Sequence, residues 1–189
     1  MPVRTMRLVP TELPDVLVVE PKVHTDERGF LVVSFHEREF AEAGLPTHFA
    51  QDNHSRSLSG VIRALHFQAG TPQGKLVTTI TGEIFDVAVD IRVGSPRFGK
   101  WTGVILRASE PRYVWIPPGF AHGFAVLSDF ADVVYKCTTV FEPDGQLGVQ
   151  WNDPAIGVRW PFADPILSAA DRVRPLLHDM MDTLPRYLP

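Results

Sequence analysis

Cysteine is almost absent from this 189-residue chain. Cys137 stands alone, which excludes an intrachain disulfide framework and any zinc site built on cysteines. Lysine is scarce too, four residues against 14 arginines, and the formal net charge is −4. The basic residues are scattered and never form the stripe a nucleic-acid surface requires, so no nucleic-acid partner is expected. An anionic small molecule remains possible, because it needs only a few well-placed cations. No uncharged apolar run approaches the roughly 18 residues of a membrane-spanning helix, and no membrane partner is expected. Arg4 and Arg7 have no apolar stretch behind them, so a secretory signal is not expected and the expected address is cytoplasmic.

Proline, by contrast, is abundant: 17 residues, close to twice the usual share. Prolines spread through a chain interrupt helices and central strands. The apolar content of 44% and charged content of 21% are ordinary for a globular protein. The length suits one domain, expected over residues 1–189 with a tail from about 168 packed on it.

The strongest periodic signal lies in residues 75–92. Phe85, Val87, Val89 and Ile91 alternate with Asp86, Ala88, Asp90 and Arg92, a period of two that predicts a strand with one wetter face. Thr81-Gly82-Glu83 before it predicts the turn of a hairpin. Further short strands are expected at 16–19, 29–34, 60–68, 101–106, 112–116, 122–126, 133–139 and 148–151, separated by Gly- and Pro-rich turns. Many short strands at such spacing predict an all-β sandwich, jelly roll or barrel. Helix is sparse. His36 to Ala43 stops at Gly44, and Leu176, Leu177, Met180, Met181 and Leu184 recur at helical spacing in the tail.

Three segments carry polar residues in apolar surroundings. Gln51-Asp52-Asn53-His54-Ser55 is followed by Arg63-Ala64-Leu65-His66-Phe67-Gln68, where strand alternation sets Arg63 on one face and His66 with Gln68 on the other. Gln73-Gly74-Lys75 opens a strand, and Pro117-Pro118-Gly119 delivers His122 between two glycines, a sign of close approach by backbone or ligand. Taken singly, His66 reads first as a bonded core histidine and Lys75 as a solvated guard at a strand end; His122 reads equally as a packed residue after a turn. As metal ligands the two histidines are poorly supported: position 68 is Gln68, and no third strong ligand follows. No metal is expected, and activity is expected to survive chelation.

Taken together, the motifs resemble the dTDP-4-dehydrorhamnose 3,5-epimerase family, cupin-like jelly-roll nucleotide-sugar epimerases. The matching stretches are residues 26–30, 51–55, 63–68, 73–77, 85–92, 116–124, 135–138, 151–154 and 167–171, in the family's order. The resemblance implies a jelly-roll barrel with a short C-terminal helical segment, a homodimer and a dTDP-sugar substrate. It implies that His66 is the general base, Asp171 its orienting carboxylate, and Tyr135 the acid on the opposite face. Lys75 and His122 would surround the 4-keto oxygen. Arg28, Gln51, Asn53 and Arg63 would contact nucleotide, diphosphate or sugar, with Arg28 coming from the partner subunit. Locally, Ser168 to Asp171 also reads as a helix-capping box.

The implied chemistry suits these residue types. A 4-keto group acidifies the protons at C3 and C5, a neutral histidine removes one, and a lysine stabilises the enolate; a phenol returns a proton from the other side. No cofactor is required. Val33, Gln146 and Ala170 stand where the family usually has Glu, Glu and Lys that contact substrate, and Phe141 keeps the ring but not the hydroxyl of a stacking tyrosine. The readings are therefore inversion at C3 and C5 of dTDP-4-dehydro-6-deoxy-D-glucose, inversion at one carbon of a related sugar, or a non-catalytic sugar-binding jelly roll. A metal-dependent oxygenase is disfavoured by Gln68.

Overall fold

A computed structural model describes residues 6–188. Arg4, which entered the reading of the N-terminus, lies outside them. The chain is all-β with a jelly-roll architecture. The strands are β1 (Met6–Pro10), β2 (Leu17–Pro21), β3 (Val23–Asp26), β4 (Gly29–Val32), β5 (Gln51–Leu58), β6 (Ile62–Gln68), β7 (Lys75–Thr81), β8 (Glu83–Asp90), β9 (Trp101–Arg107), β10 (Tyr113–Ile116), β11 (Phe120–Val126), β12 (Phe130–Cys137) and β13 (Gln146–Gly148). One sheet runs β1-β2-β10-β7-β12-β5 and the other β13-β6-β11-β8-β9; β3 and β4 form a separate ribbon. Every pairing between named strands is antiparallel.

Three apolar clusters hold these layers. Ile84, Ala88, Leu106, Val114, Phe124 and Val133 fill the space between the sheets. Val87, Val89, Leu65 and Ala121 face the other way, under Leu177, Met180 and Leu184 of the tail. A helix, α1 (Glu37–Glu42), lays Phe40 over the outside of the first sheet, against Leu76 and Trp115. Strand β11 is therefore buried at all seven positions. Covering both faces erases the alternation that a half-solvated strand would show.

Three expectations change. β7 and β8, joined at Gly82, form no hairpin with each other: they lie in different sheets. The face of β8 expected to be wetter is interior: Asp86 is 2% exposed and Asp90 is fully buried. Each carboxylate is bonded there, Asp86 to His122 and Asp90 to Arg92 and Ser95. The tail is helical only as two 3-10 turns, Asp171–Val173 and Leu177–Met180. Pro175 separates them, and a proline disfavours helical backbone at the residue before it.

Candidate active site

Strands of both sheets line a cleft of about 320 Å³. On one wall the register sets Gln51, Cys137 and Lys75 in one cross-strand row of β5, β12 and β7, with Asn53, Tyr135 and Val77 in the next same-face row. On the other, His66 of β6 pairs with His122 of β11, and β13 adds Gln146 opposite Gln68. Gln51, Asn53, Arg63, His66, Lys75, His122, Tyr135 and Phe141 all line this cleft.

Arg63 and His66 reach it together because β6 is irregular. The pairing with β11 runs His122 to His66 but Phe124 to Arg63, so β6 carries one extra residue between them. Such a bulge breaks alternation and re-aims a side chain. The expectation that Arg63 and His66 occupy opposite faces fails for this reason. Gly123 sits opposite the bulge. A Cβ there would lie 2.4 Å from the Ala64 Cβ and 2.8 Å from the Arg63 carbonyl oxygen. What approaches this glycine is β6 itself, at Ala64 and the Arg63 carbonyl.

His66 is hydrogen-bonded through Nε2 to Asp171 Oδ1 at 2.7 Å, its side chain 25% exposed and that of Asp171 5%. Asp171 opens the first 3-10 turn, where its backbone N–H donates to Ser168 Oγ. The reciprocal bond of a capping box is absent: the N-cap position is Ala170, and the Asp171 carboxylate is turned to His66 instead of back to the Ser168 N–H. Burial by itself would raise the Asp171 carboxyl. The bond and charge of His66, Ser168 and the charge of Arg174 outweigh it and hold this group below the usual carboxylate range. An ionised carboxylate only accepts, so the proton of this bond belongs on Nε2 and leaves Nδ1 with its lone pair.

His122 uses the same device: its Nε2 lies 2.7 Å from Asp86 Oδ2. Asp86 was not singled out from sequence; its place in an alternating strand read as a wet face. The other oxygen of Asp86 and the hydroxyl of Ser55 are buried with no hydrogen-bond partner among the described residues. Burial pushes the Lys75 ammonium below its ordinary value, although Cys137 and Asp86 oppose the shift. Lys75 is no edge guard, because β7 lies between β10 and β12 and the side chain lines the cleft. Burial pushes the Tyr135 phenol up, aided by Cys137 and opposed by Arg63.

The polar wall is held in place from behind. Gln51 Nε2 donates to Asn53 Oδ1, and its Oε1 accepts from the Phe141 N–H at 2.7 Å. Arg63 Nε donates to Ser57. Gln68 donates to the Thr71 and Val140 carbonyls and accepts from the Glu142 N–H, fixing the loop that carries Phe141. Among the described residues, no three His, Cys, Asp or Glu side chains gather in a way that could hold a metal ion. Arg28 is not brought to this cleft. It sits at the β3–β4 ribbon, donating to Asp26, while Phe30 and Leu31 beside it are 58% and 68% exposed.

Comparison with known proteins fits this geometry. The family model described as dTDP-4-dehydrorhamnose 3,5-epimerase matches residues 10–179. A dTDP-4-dehydrorhamnose 3,5-epimerase of Salmonella typhimurium is 51% identical over 181 residues, covering 94% of this chain and 99% of that protein. The crystal structure of a dTDP-6-deoxy-D-glucose-3,5-epimerase from Legionella pneumophila, in complex with dTDP-4-keto-L-rhamnose, is 45% identical. It superposes with a TM-score of 0.94 over 97% of this chain and 100% of its own. A 4-keto-6-deoxy sugar epimerase from the novobiocin gene cluster of Streptomyces spheroides is 38% identical, with a TM-score of 0.93 over 97% of this chain and 94% of that one. Matches of this extent and identity, over nearly the full length on both sides, show that the chain belongs to the dTDP-4-dehydrorhamnose 3,5-epimerase family.

Proposed function

We propose that this protein epimerises dTDP-4-dehydro-6-deoxy-D-glucose at C3 and C5, giving dTDP-4-dehydro-L-rhamnose, as one catalytic domain in the cytoplasm. The observation that carries the reading is the His66–Asp171 pair at 2.7 Å, opening on a cleft that Lys75 and Tyr135 also line.

His66 Nδ1 takes the proton from the carbon beside the ketone, and the electron pair moves onto the 4-oxygen as an enolate. The imidazolium formed is steadied by Asp171. The half-buried Lys75 ammonium meets the charge growing on that oxygen, an arrangement typically worth several kcal/mol. His122, anchored by Asp86, is its second neighbour. The enolate then takes a proton on its other face from the Tyr135 phenol, which is protonated at neutral pH in any case and which burial pushes further up. Gln51, Asn53, Arg63 and Phe141 hold the nucleotide diphosphate and the base.

We further propose a homodimer in which the β3–β4 ribbon carries Arg28 to the cleft of a second copy. Exposed Phe30 and Leu31 give that ribbon an apolar face to bury. Sedimentation at micromolar concentration tests it, and a monomer that turns over normally refutes it.

A second reading, inversion at one carbon only, draws on Phe141 and Gln146, two cleft residues that depart from the family pattern. Proton NMR of the 4-keto sugar nucleotide in D2O separates the two. Deuterium entering at both C3 and C5 supports the first, and deuterium at one carbon the second. No exchange at either would leave a binding module and refute both.

A further inference from the structure

Arg174 plays no part in the chemistry above, yet it stands behind the base. Its Nε lies 3.7 Å from Asp171 Oδ1, the same oxygen that is bonded to His66. The backbone at Arg174 leaves the 3-10 turn extended, at φ −63° and ψ 145°, as a residue before proline must. The side chain then runs over Gly148 of β13, which pairs directly with His66. A Cβ on Gly148 would come within 3.0 Å of Arg174 Nε and 3.2 Å of its Cδ. That Nε is buried and has no hydrogen-bond partner among the described residues. The guanidinium is held there by packing and by charge, on the wall of a second cleft behind His66 and Asp171.

We propose that Arg174 is a positioning residue that tunes the base through Asp171, favouring the form of the pair in which the carboxylate is ionised and the His66 imidazole neutral and able to accept a proton. The inference rests on His66 being the base. The pair carries one negative charge before proton abstraction and none after it. A cation 3.7 Å from Asp171 stabilises the first state relative to the second. It therefore lowers the pH at which His66 gains a proton and eases return of the proton from the imidazolium. Several other groups face His66. Arg63 lies on its own strand, His122 on β11 with Asp86 of β8 behind it, Lys75 on β7, and Tyr135 on β12. Arg63 also lines the second cleft, but the cation paired with Asp171 there is Arg174.

The test follows the His66 ring nitrogens by NMR in the free, full-length protein across pH, with kcat/KM measured alongside. In Arg174→Met the His66 midpoint should rise by about half to one pH unit, and the acid limb of kcat/KM should rise with it. Arg174→Lys should restore most of the shift, and the plateau rate should stay within about threefold of wild type. A folded Arg174→Met protein with an unmoved midpoint overturns the inference, as does a midpoint that falls. If that variant does not fold, Arg174→Gln is read by the same criteria. His66→Ala separates the two levels: turnover retained in that variant refutes His66 as the base, whereas its loss beside an unmoved Arg174→Met midpoint refutes only the role of Arg174.

Discussion

Replacing Asp171 by Asn tests the base most directly, because it changes one atom and nearly nothing in volume. The carboxylate is buried and accepts the His66 Nε2 proton at 2.7 Å. An amide in its place can turn its NH2 toward the ring, and the ring then accepts at Nε2 and carries its proton on Nδ1. That nitrogen can no longer act as a base. A second loss adds to the first, since the imidazolium has no anion behind it. A hydrogen bond to a charged group contributes about 1.5–3 kcal/mol, or roughly 10- to 150-fold at 1.36 kcal/mol per decade. With the wrong tautomer added, kcat should fall by about 10² to 10⁴. Deuterium wash-in at C3 and C5, followed by NMR, should fall by the same factor as turnover, because both need the first proton abstraction. Substrate affinity should change little, since Asp171 lies behind the cleft. Asp171→Ala, which leaves either tautomer open, should lose no more than Asp171→Asn. A folded Asp171→Asn protein exchanging at near the wild-type rate would refute the assignment of His66 and Asp171 as base and orienter.

Three further outcomes follow from the same geometry. Tyr135→Phe leaves His66, Asp171 and Lys75 untouched, so the enolate should still form; deuterium should enter with retained configuration and little inverted product, most clearly at C5, and inversion at the wild-type rate would return Tyr135 to the core. Lys75 is needed as a cation and burial lowers its pKa, so kcat/KM should fall on the alkaline side below the ordinary lysine value; Lys75→Arg, which stays charged, should move that fall upward, and an unmoved limb would deny Lys75 the role. Asp132 is buried and its carboxyl is held low by Arg56, against the pull of burial and with help from His54 and Thr81. Its contribution to stability is then present above the unfolded carboxyl value near pH 4 and lost as pH falls toward its lowered folded value; Asp132→Asn should melt earlier than wild type at pH 7, and the gap should narrow on acidification below about pH 4.

How far the sequence reveals this molecule depends on what each strand faces. Strand β9, expected at 101–106, spans Trp101–Arg107, and β10, expected at 112–116, spans Tyr113–Ile116. These strands pack apolar residues in a pattern that local reading detects. Strand β5 has no such pattern. Its inward positions Gln51, Asn53 and Ser55 line the cleft instead of the core, so the residues that mark the site also hide the strand. Strand β1 was not expected either, because Met6 to Pro10 is short and only partly covered. The candidate site was legible as a set of residues, since eight of the expected positions share one cleft. Two features were not. The bulge in β6 is a property of its pairing with β11, and nothing in residues 62–68 announces it. The partner of His122 is a carboxylate 36 residues away, in a strand whose alternation looks amphipathic.

The placement of charge in this barrel is not what a core built for stability alone requires. Both histidines of the site face a buried carboxylate at 2.7 Å, and a core built for stability alone would be served as well or better by apolar side chains of similar volume. Asp86 Oδ1 and Ser55 Oγ add two buried polar atoms without partners among the described residues, each costing about 1–3 kcal/mol where no water reaches it. The sheets tolerate this because the rest of their facing surface is packed with Ile84, Leu106, Val114, Phe124 and Val133, and because the tail and α1 bury the outer faces as well. The rigid part of the molecule thus surrounds the unsatisfied part. In the proposed reaction, imidazoles anchored in this way need not reorganise when charge moves from a carbon to a ketone oxygen, the condition under which fixed groups lower a barrier most.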